Sequence, residues 1–316
     1  MTNSQRVVIL AGGISHERDI SLNSGRLLAE LLNRQGFDVS VRDSDAGLIA
    51  ALIADRPGVV WPVLHGASGE DGSLLGLLDA MVIDYVGSGP AATRLAWDKP
   101  SAKTIVARAG IPTPDSLTLT RDAFRELGAD SVLTVIESDF GFPVVVKPAN
   151  GGSAQGVSHA NNLDELRTAL VHAYTYCTVA IIERQIVGTE VCVTVLDNGD
   201  GTHRALPLVE IEPISGVYGF EERYNAGETR FYAPARVTEA IGERAQHLAM
   251  LAHETLGLRH LSRIDFILAE DGTPWFLEAS VSPGLTETST ALLALTAAGL
   301  DAGVAFGKLV ESARLP

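Results

Sequence analysis

Arg263-Ile-Asp-Phe-Ile-Leu-Ala-Glu-Asp-Gly-Thr-Pro-Trp-Phe-Leu-Glu-Ala-Ser280 carries Asp271-Gly272 at its centre, the dipeptide preferred in a two-residue type I′ hairpin turn. With those two residues as the loop, Asp265 falls opposite Glu278, Arg263 opposite Ser280 and Ile267 opposite Phe276. Both acids then project from one partly apolar face. Directly opposed like charges destabilise a strand pair, whose facing Cβ atoms lie only ~5 Å apart. Such a pair persists with a cation or a shared proton. Hard oxygens held that close suit Mg²⁺, which takes one or two carboxylates and keeps its other positions for waters and substrate phosphates. A solvated face on which Arg263 compensates both acids is the other reading. The hairpin alone leaves both open.

A second segment, Val144-Val-Val-Lys147-Pro-Ala-Asn-Gly151-Gly152-Ser153-Ala154-Gln155-Gly156, delivers a lysine on a buried strand directly into a glycine-rich loop. Glycines let successive backbone N–H groups ring an anion, and the lysine adds a point charge. The lysine precedes the glycines, so this is neither the Walker pattern nor the dinucleotide fingerprint. An ordinary β-turn is the bland alternative. Two further polar loops, Gly13-Ile-Ser-His-Glu17 and Leu64-His65-Gly-Ala-Ser-Gly-Glu-Asp-Gly72, follow predicted parallel strands. Ligands of open α/β sheets gather at such strand ends, so His65 and Glu17 point to a small-molecule cleft.

The first part of the chain alternates strand and helix. Val7–Ala11, Phe37–Val41, Val59–Leu64 and Ile83–Val86 read as strands, with helices over Leu22–Leu32, Ala46–Ala54 and Leu74–Met81. That alternation predicts a parallel sheet covered on both faces. After Gly87-Ser-Gly-Pro90 come two short helices, one up to Trp97 and one over Ser101–Ala109. An α+β segment follows, with strands near Val144–Lys147, Gly156–His159 and Val179–Glu183. Its helix Leu163–Ala173 has Asn162 and Glu165 at capping-box spacing. A third block opens at Glu190 and contains a long helix over Thr238–Leu256. The expected division is 1–89, 90–187 and 188–316.

Composition narrows the function. The 316 residues are 46% hydrophobic, and 24 Lys plus Arg stand against 39 Asp plus Glu, a net charge of −15. That excess argues against nucleic acid and anionic membranes as partners, and a phosphate-bearing ligand must meet a locally basic site. Cys177 and Cys192 are too few for a disulfide scaffold and read as interior thiols. No apolar run reaches the ~18 residues of a spanning helix and no signal-peptide pattern appears, so a cytoplasmic protein is expected.

Taken together, these segments resemble the D-alanine–D-alanine ligase family of the ATP-grasp superfamily, over nearly the whole chain. The resemblance is carried by Gly12-Gly-Ile-Ser-His-Glu17, His65-Gly66 with Gly69-Glu-Asp-Gly72, Tyr85-Val-Gly-Ser-Gly89 and Asp98-Lys99. It continues through Val146-Lys147-Pro148, Ile182-Glu183, Gly188-Thr-Glu190, Glu228-Thr-Arg-Phe-Tyr-Ala-Pro234, Arg263-Ile-Asp265 and Ser282-Pro-Gly284. It implies an α/β, ATP-grasp fold: an N-terminal parallel domain followed by two α+β domains that clasp ATP. It also implies ATP-driven joining of two D-amino acids through an acyl phosphate, D-alanine being the first expectation for both. Residue by residue, ATP would meet Lys99, Lys147, Gly152, Ser153, Glu183, Arg184, Ile186, Glu190 and Arg223. Mg²⁺, with Mn²⁺ as the alternative ion, would meet Asp265, Glu278 and Ser280. Glu17 and His65 would hold the first substrate, Tyr224 and Ser289 the second, and Arg263 the developing oxyanion. Glu17, Ser153, Tyr224 and Arg263 form the implied catalytic set. A homodimer and a place in peptidoglycan synthesis are expected from the family alone.

Four positions depart from the family pattern. Ser280 replaces an asparagine metal ligand, Ala154 a second loop serine, Arg223 a lysine, and Thr290 an apolar residue beside the second-substrate serine. Ser280 weakens the expected metal site and Thr290 makes the expected acceptor pocket more polar. They keep open a related ligase of antibiotic or secondary metabolism with a more polar second substrate. A catalytically decayed nucleotide-binding module is the alternative of another class, against which the retention of Glu17, His65, Lys147, Arg263, Asp265 and Glu278 together speaks.

Overall fold

The structure, a computed structural model, describes residues 5–216, 218–219, 222–223 and 227–313. Three sheets organise them. The apolar run after Arg6 forms β1 (Arg6–Leu10), which pairs in parallel with β2 (Asp38–Arg42) on one side and β3 (Val59–Pro62) on the other. Helices α1 (Arg18–Arg34), α2 (Leu48–Ala54), α3 (Ala67–Glu70) and α4 (Ser73–Ala80) lie between or after these strands. Ile83–Val86, expected as a fourth strand, makes a single bridge, Tyr85 to Val60. Val82 at φ 56° and Gly87 at φ 137° bend the chain on either side, leaving too few extended residues for a ladder.

Helices α5 (Pro90–Trp97) and α6 (Lys99–Arg108) lead to the second sheet, with Asp98 accepting from the Ser101 N–H at 2.9 Å as the α6 cap. That sheet runs β4 (Ser116–Thr120), β7 (Val179–Arg184), β5 (Val144–Pro148), β6 (Ser158–Ala160), all antiparallel. Helices α7 (Arg121–Glu126), α8 (Ala129–Phe140) and α9 (Leu163–Ala173) accompany it. Asn162 caps α9 as expected, and Glu165 reaches back to the Asn161 N–H rather than to that of Asn162. The core of this sheet draws only on residues between Leu119 and Ile182.

The third sheet has the order β11 (Thr229–Tyr232), β10 (Val209–Pro213), β8 (Gly188–Asp197), β12 (Leu261–Ala269), β13 (Pro274–Ser280), with β9 (His203–Ala205) also on β8. Strand β8 is buried on both faces. Val191, Val193 and Val195 pack with α6 and with α10 (Glu239–Thr255), whereas Cys192 and Leu196 face a core shared with the first sheet. Cys192 is fully buried, but Cys177 is only half-buried, so one of the two expected interior thiols is partly open. The last helices, α11 (Thr290–Ala297) and α12 (Ala302–Ser312), return to that first core, where Phe306 meets Trp61 edge-on at 5.5 Å. Among the described residues no single helix is long and apolar enough to cross a membrane.

Phe306 is fully buried at the seam of first sheet and last helix. Phe306→Ala should therefore cost about 3–5 kcal/mol, the usual range for emptying an aromatic core site. Urea unfolding of both proteins measures it; a loss under ~1 kcal/mol would mean the seam does not carry the fold.

Candidate active site

The β12–β13 hairpin sets the site. Arg263 pairs with Ser280, Ile264 with Ala279 and Asp265 with Glu278, as the turn arithmetic predicts. Nearer the tip the prediction fails: Phe266, not Ile267, faces Phe276, and Ile267 faces Trp275. The loop has three residues, Glu270-Asp271-Gly272. Gly272 sits at φ 75° with its N–H on the Ala269 carbonyl, and the Ala269 N–H donates to Thr273. Leu277 is then an extra residue, a β-bulge that restores the step before Glu278. The bulge puts both Leu277 and Glu278 on the cleft wall, while Phe266 and Phe276 interlock in the core at 6.2 Å.

The opposed acids are neutralised by side chains already present. Arg263 grips Asp265 with two hydrogen bonds, Nε to Oδ1 at 2.7 Å and Nη2 to Oδ2 at 2.8 Å. Lys99, from the start of α6, places Nζ 3.1 Å from Glu278 Oε2 and donates to the Gly151 carbonyl at 2.5 Å. Burial works against the Glu278 charge, but Lys99, then Arg223, Arg263 and Lys147 outweigh it and bring its pKa down to about 2. Neighbouring Glu190 behaves oppositely. Burial, with Asp265 and Glu278 adding to it and Arg223 opposing, pushes it up to about 7. Among the described residues no three His, Cys, Asp or Glu side chains form a cluster that would cage a metal.

Two cavities meet at this acid pair. One, of about 590 Å³, is walled by Lys147, Glu183, Arg184, Ile186 and Glu190; the other, of about 320 Å³, by Glu17, His65, Ser153, Arg263, Ser280 and Ser289. Lys99, Gly152, Arg223, Asp265 and Glu278 line both. Each predicted site residue that is described thus lies on one cavity or the other; Tyr224 falls outside the described residues. In the larger cavity Glu183 is held by two lysines, with Lys147 Nζ 2.7 Å from one oxygen and Lys103 Nζ 2.6 Å from the other. Its burial favours the neutral acid, yet Lys147 and Lys103 together hold it below the ordinary carboxylate range.

The glycine-rich loop reaches across to the smaller cavity. Ser153 and Ala154 both sit at positive φ, 52° and 56°, a conformation costly for residues with a side chain. In that pose the Ser153 hydroxyl donates to Glu17. His65 is 6% exposed, and its Nε2 has no protein hydrogen-bond partner although it lines the cavity. Burial keeps this imidazole below its ordinary value, against the pull of Glu17 and with the push of Arg263. An orphaned buried nitrogen of this kind is satisfied by a polar ligand.

Sequence reasoning passed over three residues. Lys103 falls within the helix expected over Ser101–Ala109 with no motif around it, Leu277 was hidden by the wrong loop length, and Glu70 stood unremarked inside a quoted motif. Glu70 lines the smaller cavity and accepts from the Gly66 N–H at 2.8 Å.

A family model described as D-ala D-ala ligase C-terminus matches residues 105–312. A curated D-alanine–D-alanine ligase of Anaeromyxobacter dehalogenans is 40% identical over 307 residues, 97% of this chain and 95% of the relative. The chain belongs to the D-alanine–D-alanine ligase family. Among solved structures it is similar to the VanG D-Ala:D-Ser ligase of Enterococcus faecalis, with a TM-score of 0.81, 26% identity and 98% of each chain covered. It is similar also to the Bacillus anthracis D-alanine–D-alanine ligase complexed with ATP, with a TM-score of 0.77, 26% identity, and 98% and 95% covered. The fold is accordingly ATP-grasp. Of the departures from the family pattern, Arg223 stacks on the Tyr218 ring at 4.2 Å and lies 3.9 Å from Glu190. Thr290 is nearly buried, lines the smaller cavity beside Ser289 and has the Cys192 thiol close by.

Glu70 yields a pH test. Burial, then the charge of Glu17, raise it to about 8 against the Gly66 N–H and Lys99. A carboxyl raised in the folded state binds its proton there after the unfolded chain has lost it. Stability is therefore full below the unfolded value and declines as pH rises toward 8. Glu70→Gln, a permanent neutral mimic, should gain on the wild type in melting temperature between pH 5 and pH 8. An unchanged difference would mean that Glu70 is ionised throughout.

Proposed function

We propose that this enzyme joins two molecules of D-alanine at the expense of ATP, releasing D-alanyl-D-alanine, ADP and phosphate, in the cytoplasm where ATP is made available. The observation that carries the reading is the meeting of two cavities at Asp265 and Glu278 with Lys99 between them. A nucleotide in the larger cavity and an amino acid in the smaller one bring a γ-phosphate and a carboxylate together at that junction.

The residues divide the reaction between them. Glu183 accepts from the adenine edge, Glu190 holds the ribose, and Lys147 and Lys99 face the phosphates. Glu17 takes the ammonium of the first D-alanine, and His65, with its unpartnered Nε2, its carboxylate. A carboxylate oxygen attacks the γ-phosphorus, the bond to the β-phosphate oxygen breaks, and ADP leaves an acyl phosphate. The amine of the second D-alanine, held near Ser289 and Tyr224, then attacks the carbonyl carbon. Negative charge builds on the carbonyl oxygen, where Arg263 stabilises it; such a preorganised donor is worth about 2.7–4 kcal/mol. Collapse of the tetrahedral species expels phosphate and leaves the amide. Ser153 on its loop keeps water from the acyl phosphate.

Asp265 and Glu278 fit Mg²⁺ better than a metal wanting a full protein cage, since two carboxylates leave positions for phosphate oxygens and water. When bound there, Mg²⁺ neutralises phosphate charge as the γ-phosphoryl group transfers. Ser280, opposite Arg263 in the hairpin, offers a shorter and weaker donor than asparagine and would serve Mg²⁺ less well.

The test is ADP release with mass identification of products from ATP, Mg²⁺ and D-alanine, alone or with D-lactate. The dipeptide should dominate over the ester. Absence of ADP release with D-alanine and a panel of other D-amino acids would overturn the reading. Asp265→Ala and Glu278→Ala should each lower the rate by more than about 100-fold. Ser280→Asn should reach half-maximal rate at less Mg²⁺; superimposable titrations would show that Ser280 is not a deficient ligand.

A further inference from the structure

Glu183 and Lys147 line the larger cavity, but Lys103 does not; it lies behind Glu183 and is 2% exposed. Burying a lysine away from water is costly unless it is paired, so its place in the fold demands an anion. That anion is Glu183, at 2.6 Å. The two lysines are not equivalent partners. Lys147 stands diagonally across the β5–β7 pair from Glu183, on the cavity face, where a bound ligand can draw its ammonium away. Lys103 comes from α6, one turn after Lys99, so a single helix face anchors the acid pair at one end and Glu183 at the other. No ligand in the cavity can reach it. Burial brings the Lys103 ammonium down to about 8, with Glu183 opposing and Lys147 assisting, so it remains cationic near neutral pH.

We propose that Lys103 is a positioning residue for nucleotide selection: the fixed cation that keeps the Glu183 carboxylate ionised and aimed at the exocyclic amine of adenine when Lys147 engages the ligand. A carboxylate so held accepts from the 6-amino group and repels a 6-carbonyl. The inference rests on the reading of Glu183 as the adenine contact and adds to it a residue that touches no substrate.

Steady-state kinetics with ATP and with inosine triphosphate, whose base has a carbonyl in place of that amine, test the inference. Lys103→Met should raise KM for ATP about tenfold, leave kcat within about twofold and KM for D-alanine unchanged, and shrink the ATP-to-ITP ratio of kcat/KM about tenfold. Lys103→Arg should keep most of that ratio. Lys103→Gln, uncharged but still a donor, is measured alongside so that one poorly folding variant does not end the test. Equal losses with both nucleotides, or a fall in kcat at constant KM, would overturn the inference. Glu183→Gln separates the two levels. If it shrinks the ratio while the Lys103 variants do not, the positioning role is wrong. If it leaves the ratio intact, the adenine-edge reading falls and the inference falls with it.

Discussion

Two carboxylates facing each other across a strand pair repel, and Asp265 and Glu278 do so where two cavities meet, Asp265 buried and Glu278 partly so. Cations offset that repulsion, one from within the hairpin and one from outside it. Arg263 comes from the same strand, two residues away on the same face. Lys99 comes from a helix 179 residues earlier than Glu278 in sequence, and it ties the glycine-rich loop to the pair through the Gly151 carbonyl. The Asp98 cap that starts α6 is what sets Lys99 at this point.

The same balance explains how so acidic a chain handles phosphate. Against a net charge of −15, the two cavities gather Lys99, Lys147, Arg223 and Arg263 beside the carboxylates Asp265, Glu278, Glu183 and Glu190. The two signs offset each other locally, and Lys99, Lys147, Glu183 and Asp265 are buried. Charges in such a place interact far more strongly than those on the surface, so the surrounding acidity matters less to a docked nucleotide than to one still in solution.

Much of this was legible in the residues. The β-branched run at Val7, the Asp-Gly turn and the capping residues of α9 act through near neighbours, and local physics is what a sequence displays. The hairpin register at the acids came out right although two steps were wrong, because a longer loop and a bulge at Leu277 cancel. That cancellation is a packing matter: it lets Phe266 and Phe276 share the core while Leu277 and Glu278 share the cleft. The pairing of Lys103 with Glu183 joins elements 80 residues apart, and the burial of Glu70 depends on Gly152 and Glu17 approaching from elsewhere. No spacing rule encodes such encounters. Thr290 does line the smaller cavity, and no spacing rule showed the buried thiol beside it.

The partition of the cores has a mechanical meaning. The wall bearing Glu17 and His65 and the wall bearing Ser289 are both rooted in the core that unites the first sheet with the last two helices. The second sheet keeps a core of its own, built wholly from residues within it. Deforming the molecule along the boundary between these bodies disturbs fewer buried contacts than deforming either one. Any displacement of the second sheet carries Lys147, Glu183 and the Ser153 loop together and leaves both amino-acid walls in register, with the buried Lys103–Glu183 pair holding that sheet to α6. The Ser153 loop is thereby tied to two walls at once, to the first-sheet wall by the Ser153–Glu17 hydrogen bond and to the start of α6 by the Lys99 contact with the Gly151 carbonyl.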